Sequence, residues 1–306
     1  MTELNTVDLL ILGAGWTSTF LIPLCLTRNV SYAATSRPSH PLPNTIPFEF
    51  DENETESNPA QFRLLPAAHT VLITFPIRAK GASERLVRLY QQTHQGAVAS
   101  FIQLGSSGIW DGGPTLQNKT GVWLDRHSQF DTTNARANAE EELLALSPST
   151  PTTVLNLCGL WGGQRSVKHY VGRVAPTKEA LKNKTSLHMI HGEDVSRAIL
   201  AVHANFNRAT GERWLLTDSR VYDWWDLASA WGDEHTTSKS QAASPYHEEH
   251  SPRKEGKGPQ PRWVRELMNE EGIRGLPRTV EQLGRASDSR DFWNTFELEP
   301  VVGRLE

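Results

Sequence analysis

The chain has 306 residues, which is enough for one large α/β domain or for a domain with a smaller companion packed against it. Its net charge of -4 lacks the basic surplus of nucleic-acid-binding proteins, so we expect no nucleic-acid partner. No apolar run reaches the roughly 18 residues of a membrane-spanning helix, so we expect no membrane association.

The N-terminal segment and the two cysteines bear on the compartment. The opening MTELNTVDLLILGAG has a short apolar run beside Asp8 and no basic residue, which is typical of a first strand and not of a signal peptide. Cys25 and Cys158 lie in apolar runs without a CxxC pair, which indicates small buried side chains and no zinc or disulfide framework. We therefore expect a cytoplasmic protein.

Apolar runs of strand length alternate with segments of helical spacing along the first two-thirds of the chain. The predicted strands are residues 9–12, 30–34, 71–75, 98–104 and 154–157, and the predicted helices are 17–28, 83–94, 134–146 and 193–203. Strands that alternate with helices favour a parallel sheet covered on both faces. The sequence thus predicts an α/β fold with a doubly wound parallel sheet of the Rossmann type.

A polar segment interrupts the C-terminal half of the chain. Residues 235–261, HTTSKSQAASPYHEEHSPRKEGKGPQP, are rich in Ser, His, Lys and Glu and contain almost nothing to bury, which predicts a mobile loop or linker. Residues 262–271 and 279–285 follow with the spacing of short amphipathic helices, so we expect a smaller C-terminal lobe to resume there.

The first predicted strand runs directly into a glycine-rich loop. Leu12 is followed by residues 13–18, GAGWTS, and then by a helix, which is the context in which a GxGxxG motif indicates dinucleotide binding. Gly13 permits the tight turn, and Gly15 lets a pyrophosphate approach the backbone at the positive end of the helix. Ser18 replaces the third glycine and adds a hydroxyl that can reach a phosphate. The predicted cofactor-binding residues of this loop are Gly13, Gly15, Trp16, Thr17 and Ser18.

The end of the second predicted strand bears on the choice of cofactor. Proteins specific for NAD usually place an acid there for the ribose hydroxyls, but no Asp or Glu lies between Val30 and Pro38. Arg37 instead offers a planar cation to a 2′-phosphate, which favours NADP over NAD. The alternative is an ordinary solvated arginine.

Five segments together resemble the extended short-chain dehydrogenase/reductase superfamily. They are LLILGAGWTSTF, VLITFPI, FIQLGSSGIWDG, TVLNLCGLWGGQR and SLHMIHGEDVSRAILAV. Their order and spacing resemble the NAD-dependent epimerase/dehydratase group, and most of all its atypical YeeZ-like branch. The resemblance implies an NAD(P)-binding Rossmann domain over residues 1–165 and a C-terminal substrate lobe over 166–306 that includes the loop 235–261. It also implies that Phe75 and Pro76, after the fourth strand, contact the cofactor.

Ser106 is the residue to which the resemblance assigns the reacting part of a substrate. In the superfamily a Ser or Thr four residues before an aromatic residue hydrogen-bonds the reacting oxygen, and here Ser106 lies four residues before Trp110. A hydroxyl at the carboxyl end of a parallel strand faces the crevice where ligands bind. Ser106 is therefore the first catalytic candidate, with Ser107 and Trp110 in the substrate pocket. The alternative for Ser106 is a serine that caps the following turn.

The catalytic Tyr-x-x-x-Lys of the superfamily is missing from the sequence. Tyr32, Tyr90, Tyr170, Tyr222 and Tyr246 are followed four residues later by Ser36, His94, Val174, Asp226 and His250. Alignment on Ala135 and Glu140 puts Thr132 at the tyrosine position and Arg136 at the lysine position, which makes both of them catalytic candidates. A threonine hydroxyl does not act as an acid or base near pH 7, so the usual carbonyl reduction is in question. Arg136 would hold the nicotinamide ribose, and Asp125, Arg126 or His127 would supply the proton.

Three other groups of residues in the sequence bear on its chemistry. Gly105-Ser106-Ser107-Gly108 lacks the GxSxG spacing of a serine hydrolase. His188, His191, Glu193 and Asp194 are the densest set of possible metal ligands. The resemblance places them at a strand-to-helix junction where Glu193 or Asp194 caps the helix, so we predict no metal site. Trp161 and Arg165 are expected in the substrate pocket, with Arg165 pairing to an anionic group; core packing and surface exposure are the alternatives.

These patterns lead to one function and two alternatives. The first is an NADP-binding protein of the atypical short-chain dehydrogenase/reductase kind, an oxidoreductase for an unidentified small carbonyl or alcohol. The second is a non-catalytic NADP-dependent sensor or scaffold for a protein partner, which the missing Tyr and Lys favour. The third is a sugar-nucleotide epimerase, which needs the same missing tyrosine.

Overall fold

The structure, a computed structural model, describes residues 6–54, 59–112, 123–232 and 257–305. Its strands are β1 Val7–Leu12, β2 Tyr32–Ser36, β3 Ile46–Pro47, β4 Ala68–Ile73, β5 Ser100–Ser106, β6 Trp123–Leu124, β7 Thr152–Leu157, β8 Gly159–Trp161, β9 Ser186–Leu187, β10 Met189–His191, β11 Arg213–Leu216, β12 Tyr222–Asp223 and β13 Ala286–Ser287. Within these ranges seven strands form one parallel sheet in the order β11-β7-β5-β4-β1-β2-β3. The pairs β8/β10, β9/β12 and β6/β13 lie outside that sheet.

Helices cover both faces of the sheet and build a lobe beside it. They are α1 Ser18–Thr27, α2 Ala82–Thr93, α3 Ala135–Leu144, α4 Val171–Val174, α5 Lys178–Lys182, α6 Gly192–Ala204, α7 Trp224–Trp231, α8 Gln260–Glu270, α9 Val280–Leu283 and α10 Arg290–Thr295. Short 3₁₀ turns occur at Gln61–Leu64, Ser107–Trp110, Val167–Tyr170 and Phe206–Arg208. Among the described residues, no helix is both long enough and apolar enough to cross a membrane.

Alternate side chains of β1 enter two different apolar cores. Leu9 and Ile11 pack in a cluster with residues of α1 and α6, whereas Leu10 and Leu12 pack in a second cluster with residues of α2 and α3. All four side chains are fully buried, as expected for a strand with helices on both of its faces. This arrangement confirms the predicted α/β fold and its doubly wound parallel sheet.

The order of strands reverses between β1 and β4. The chain adds β2 and β3 on one side of β1, and β4, β5, β7 and β11 on the other. Leu12 pairs with Ile73, and Ser106 pairs with Leu157, so the carboxyl ends of these strands meet at one edge of the sheet. Ligands of open α/β sheets bind at that edge, next to the point of reversal.

A third apolar cluster lies in the C-terminal half. Trp225 of α7 is 1% exposed and packs with Leu181 of α5 and Leu267 of α8. α10 returns to the sheet, where Phe292 contacts Trp214 of β11 with ring centroids 5.8 Å apart. The boundary proposed between residues 165 and 166 stays a prediction.

Several predicted boundaries were wrong. The strand predicted from residue 98 begins at Ser100, because Val98 follows a turn and is 84% exposed despite its β-branched side chain. The strand predicted from residue 71 begins at Ala68, since the polar Thr70 is also buried in it. Of the loop predicted at 235–261, residues 235–256 lie outside the described ranges, and its last two residues, Gln260 and Pro261, already belong to α8.

The predicted cap of α6 was also wrong. Neither Glu193 nor Asp194 caps this helix; the Nδ1 atom of His191 accepts a hydrogen bond from the Glu193 N–H at 3.2 Å. The Asp194 carboxylate instead accepts the backbone N–H groups of Val301 at 2.8 Å and Val302 at 3.1 Å. Asp194 therefore fastens the C-terminal tail, which is distant in sequence.

Candidate functional site

Hydroxyl groups from the neighbours of β1 hold the glycine-rich loop in place. The Gly13 N–H donates to Thr35 Oγ1 at 2.9 Å, and the Thr74 hydroxyl donates to the Gly13 carbonyl at 2.6 Å. Gly13 has φ +94°, and a Cβ there would lie 2.7 Å from Thr74 Oγ1. Only glycine meets both requirements, since other residues rarely adopt this backbone conformation.

The loop presents open backbone at the start of α1. A Cβ added to Gly15 would meet no atom within 4 Å. The first turn of α1 carries no acidic residue, and its N-cap residue Thr17 makes no capping hydrogen bond with its side chain. Ser18 is 4% exposed, and its Oγ has no hydrogen-bond partner among the described residues. The N–H groups of Ser18 and Thr19 donate to the carbonyls of Gly15 and Trp16, whereas those of residues 15–17 have no acceptor among the described residues. This end of the helix thus has the features of an anion site: backbone donors without partners, open space and no competing carboxylate.

A cavity of about 430 Å³ adjoins the glycine-rich loop. Its lining residues are Gly13, Arg37, Phe48, Glu49, Phe50, Glu52, Phe75 and Pro76. Four of them are predicted cofactor residues from three separate segments of the sequence: Gly13, Arg37, Phe75 and Pro76. The rings of Phe50 and Phe75 are stacked with centroids 6.1 Å apart, which gives the cavity a flat apolar wall.

Four residues of this cavity were missed by the sequence analysis. Phe48, Glu49, Phe50 and Glu52 follow β3, which is only two residues long and therefore below the length at which a strand is recognised. The alternation in FEFDE was the available signal, because it puts Phe48 and Phe50 on one side of an extended segment. The Glu52 carboxylate is already occupied by the N–H groups of Arg78 at 2.5 Å and Ala79 at 3.0 Å.

Ser106 ends β5 at the same edge of the sheet. Its Oγ accepts the Gly108 N–H at 3.2 Å and so caps the 3₁₀ turn that follows, which was the alternative reading of this residue. Its own hydroxyl hydrogen has no acceptor among the described residues, and the side chain is half-buried. Ser107 hydrogen-bonds the Cys158 thiol; burial raises the pKa of that thiol to about 12 and the hydrogen bond opposes the increase.

Arg136 belongs to a buried polar network. Its guanidinium donates to the Leu104 carbonyl at 2.8 Å and lies 3.4 Å from the Glu140 carboxylate. Glu140 also accepts from Asn156 at 2.7 Å and from Arg213 at 3.0 Å. Burial lowers the pKa of Arg136 and raises that of Glu140, while the opposite charge of each partner counteracts the effect. The guanidinium of Arg136, at the lysine position, is thus held by contacts with Leu104 and Glu140.

Thr132 lies in the turn before α3, where it is exposed. Its carbonyl accepts a hydrogen bond from the Asn138 side chain at 3.1 Å, so this turn is tied to the first part of the helix. The catalytic roles of Thr132 and Arg136 stay predictions.

Solved structures share this arrangement of strands and helices. One is an assigned NAD-dependent epimerase/dehydratase from Methylobacillus flagellatus, with 14% identity, a TM-score of 0.56, and coverage of 97% of this chain and 94% of that one. The epimerase Mth375 from Methanothermobacter thermautotrophicus has 11% identity, a TM-score of 0.56, and coverage of 98% and 89%. MoeE5, solved in complex with UDP-glucuronic acid and NAD, has 12% identity, a TM-score of 0.57, and coverage of 97% and 94%. The chain shares the Rossmann-type α/β fold of these three proteins.

This likeness confirms the predicted resemblance at the level of the fold. It extends over nearly the whole chain, including the part after residue 202, where none of the five segments lies. It does not single out the YeeZ-like branch. No protein-family profile matches the chain. No curated protein matches its sequence either.

Two of the four predicted pocket residues are aromatic side chains that lie in apolar clusters. Trp110 is 4% exposed, packs with Ile109 and Ala137, and donates its indole N–H to the Ser128 carbonyl at 2.9 Å. Trp161 is 8% exposed, and its ring lies edge-on to His191 at 4.7 Å. Core packing, the alternative given for Trp161, therefore describes both residues, and their contact with a substrate stays a prediction.

Arg165 contacts the glycine-rich loop. Its guanidinium lies over the ring of Trp16, 4.5 Å from the ring centroid. Trp16 in turn donates its indole N–H to the Gly162 carbonyl at 3.1 Å. The residue predicted to bind an anionic substrate group thus lies next to the predicted cofactor loop.

The alternative proton donors lie in the loop before α3, as predicted, but away from Ser106. Arg126 pairs with Glu212 at 2.5 Å and with Asp291, and it stacks over Trp214 at 4.1 Å. Glu212 precedes β11, so this cluster lies at the amino end of a strand parallel to β5. His127 and Asp125 flank Arg126 and lie with it at the edge of the sheet opposite to Ser106.

Three of the four possible metal ligands have side-chain contacts that fasten other parts of the fold. His188 is 6% exposed and accepts the Ser287 N–H at Nε2 with a distance of 3.0 Å; burial lowers its pKa to about 4. His191 caps α6, and Asp194 holds the C-terminal tail. Across the described ranges, no group of three or more His, Cys, Asp or Glu residues is arranged to hold a metal ion.

Proposed function

We propose that the protein binds NADP at the carboxyl edge of its sheet and is an atypical oxidoreductase for a small carbonyl or alcohol. The observation that carries the proposal is the cavity beside the glycine-rich loop, since it unites Gly13, Arg37, Phe75 and Pro76. The epimerase/dehydratase fold supports a nicotinamide dinucleotide, and MoeE5, one of the proteins with this fold, was solved with NAD. The choice of NADP rests on Arg37.

The residues of the site fit the parts of a dinucleotide. The open space at Gly15, the unpartnered Ser18 hydroxyl and the first turn of α1 suit a pyrophosphate. Phe50 and Phe75 offer a flat apolar wall to adenine. Arg37 is exposed and has no carboxylate within ion-pair distance in the described part of the chain, so its guanidinium is available to a 2′-phosphate.

The chemistry that the bound cofactor would supply is hydride transfer. Ser106 would orient the substrate, because its Oγ accepts the Gly108 N–H while its own hydrogen can be donated to a carbonyl oxygen. Arg136 would contribute positive charge near the nicotinamide ribose from its position beside Leu104. The proton that accompanies hydride transfer to a carbonyl would come from water, because Thr132 has no acidity near pH 7.

Turnover of NADPH tests the oxidoreductase proposal. NADPH oxidation is followed with a panel of small aldehydes and ketones, using the wild type and Ser106→Ala. We expect at least one substrate to be turned over and Ser106→Ala to lower kcat/KM about a hundredfold, with NADPH affinity by calorimetry unchanged. Turnover that Ser106→Ala leaves intact, or binding without turnover across the panel, would contradict the proposal.

A second candidate is a non-catalytic NADP-dependent sensor for a protein partner. The Arg136 network favours it, because the cation at the lysine position is held by Leu104 and Glu140. In that case a partner would be captured with NADP and released without it. Sugar-nucleotide epimerisation needs the same phenol, and no tyrosine of the sequence has a lysine four residues later.

A further inference from the structure

A tight turn after β8 lies against the glycine-rich loop. Gly162 and Arg165 are joined by two backbone hydrogen bonds, one from the Gly162 N–H at 2.9 Å and one from the Arg165 N–H at 3.1 Å. Gly162 has φ +107°, and a Cβ there would lie 2.2 Å from His191 Nε2. The turn is therefore fixed both by its own hydrogen bonds and by close contact with the residue that caps α6.

Trp16 joins this turn to the cofactor loop. Its indole N–H donates to the Gly162 carbonyl at 3.1 Å, and its ring lies 5.0 Å from that of Phe20 on α1. A Cβ added to Gly163 would in turn lie 3.4 Å from Phe20. Two segments separated by 146 residues thus form one unit in which Trp16 is the common member.

Arg165 brings a positive charge to this unit. The guanidinium lies 4.5 Å from the centroid of the Trp16 ring, and Trp16 directly follows Gly15, where the backbone faces open space. The side chain is exposed, and no carboxylate pairs with it in the described ranges. Stacking on an aromatic ring uses the face of a guanidinium and leaves its N–H groups at the periphery available to an acceptor.

We propose that Arg165 binds the pyrophosphate of the dinucleotide and that Trp16 positions it. This inference rests on the proposed NADP site and assigns Arg165 to the cofactor, not to the anionic substrate group predicted from the sequence. A pyrophosphate carries two negative charges, whereas a helix N-terminus supplies only about half of a positive charge. Among the described side chains near Gly15, Arg165 supplies the missing cation, and a guanidinium matches the geometry of phosphate oxygens.

Two ligands, tested on variants of two arginines, distinguish binding of the pyrophosphate from binding of the 2′-phosphate. NADPH carries both groups, whereas adenosine 2′-monophosphate carries only the group assigned to Arg37. Affinities are measured by calorimetry for the wild type, Arg165→Gln, Arg165→Lys, Trp16→Phe and Arg37→Ala. The matched control is Arg173→Gln, which removes the same charge from another exposed arginine that stacks on an aromatic ring, 4.7 Å from the centroid of Tyr170.

We expect Arg165→Gln to weaken NADPH at least tenfold and to change the affinity for adenosine 2′-monophosphate less than twofold. Arg165→Lys should weaken NADPH by a smaller factor, and Trp16→Phe, which lacks the N–H donor to Gly162, should weaken it several-fold. Arg173→Gln should have no effect, and Arg37→Ala should weaken both ligands.

The results that would contradict the role of Arg165 differ from those that would contradict the proposed NADP site. NADPH affinity unchanged in Arg165→Gln but lowered in Arg37→Ala would overturn the role of Arg165 and leave the proposed function standing. Equal weakening of both ligands by Arg165→Gln would also overturn it, because the effect would then not belong to the pyrophosphate. A wild-type protein that binds no dinucleotide would overturn both proposals.

Discussion

Alanine substitution at the two loop glycines should separate folding from ligand binding. Gly13 has φ +94°, and its added Cβ would lie 2.7 Å from the Thr74 hydroxyl that holds the loop. Gly15 has neither constraint, since its Cβ would meet no protein atom within 4 Å. We therefore expect Gly13→Ala to destabilise the fold, whereas Gly15→Ala should leave the fold unchanged and fill the space that a pyrophosphate needs.

The magnitudes follow from these geometries. A non-glycine residue in the left-handed region costs roughly 1–2 kcal/mol, and loss of the hydrogen bond from Thr74 costs about 1 kcal/mol. Gly13→Ala should thus lower the free energy of unfolding by about 2–3 kcal/mol. For a chain of this length that corresponds to a decrease in Tm of roughly 3–5 °C. Gly15→Ala should keep Tm within about 1 °C, because glycine-to-alanine changes without strain are neutral or slightly stabilising.

Differential scanning calorimetry and NADPH titration of the same preparations test this pair. Gly15→Ala should bind NADPH at least tenfold more weakly, a difference of about 1.4 kcal/mol, at unchanged Tm. A Gly15→Ala variant that binds NADPH as tightly as the wild type would refute the placement of the pyrophosphate. A Gly13→Ala variant of wild-type Tm would refute the account of the turn.

Two further predictions concern buried groups. His188→Gln should flatten the pH dependence of stability between pH 6.5 and about 4. The folded-state pKa of His188 is lowered, so its contribution is present above pH 6.5 and is lost on acidification, by about 3 kcal/mol in all. Burial raises the pKa of Asp218 to about 6, so protonation of Asp218 increases stability on acidification, opposite to the effect of His188. The free energies of unfolding are therefore measured by urea denaturation for the wild type and His188→Gln, and their difference is taken at each pH. If the wild type and His188→Gln had the same pH dependence of stability, that result would contradict the assignment. Arg213→Leu should destabilise the fold by about 3 kcal/mol in the same assay, because Glu140 loses its 3.0 Å partner while buried; a change below about 1 kcal/mol would contradict it.

The sheet was predictable because its signals are local. Each run of apolar residues in β1, β4, β5 and β7 is buried on both faces and stands out without knowledge of its neighbours. The glycine-rich loop was predictable for a similar reason, since strand, GAGWTS and helix follow one another directly. Lengths were less predictable, because Thr70 is as buried as the apolar residues around it.

The site was only partly predictable, because its remaining contacts join distant segments. Glu49 and Phe50 enter the cavity after a strand of two residues, which leaves almost no pattern in the sequence. Arg165 reaches the loop through Trp16, and nothing local to the turn indicates that partner. Asp194 was expected to cap α6 because carboxylates commonly do so, but its partners lie 107 and 108 residues later.

The central claim is that Arg37 selects NADP at this site, and the affinities of NADPH and NADH test it most directly. Calorimetry compares the wild type with Arg37→Ala and with Arg28→Ala, which removes the same charge at the C-terminal end of α1, opposite to the end at the glycine-rich loop. We predict that the wild type and Arg28→Ala prefer NADPH by at least tenfold, about 1.4 kcal/mol, and that Arg37→Ala does not. A wild-type preference below tenfold, or one that survives in Arg37→Ala, would contradict the claim.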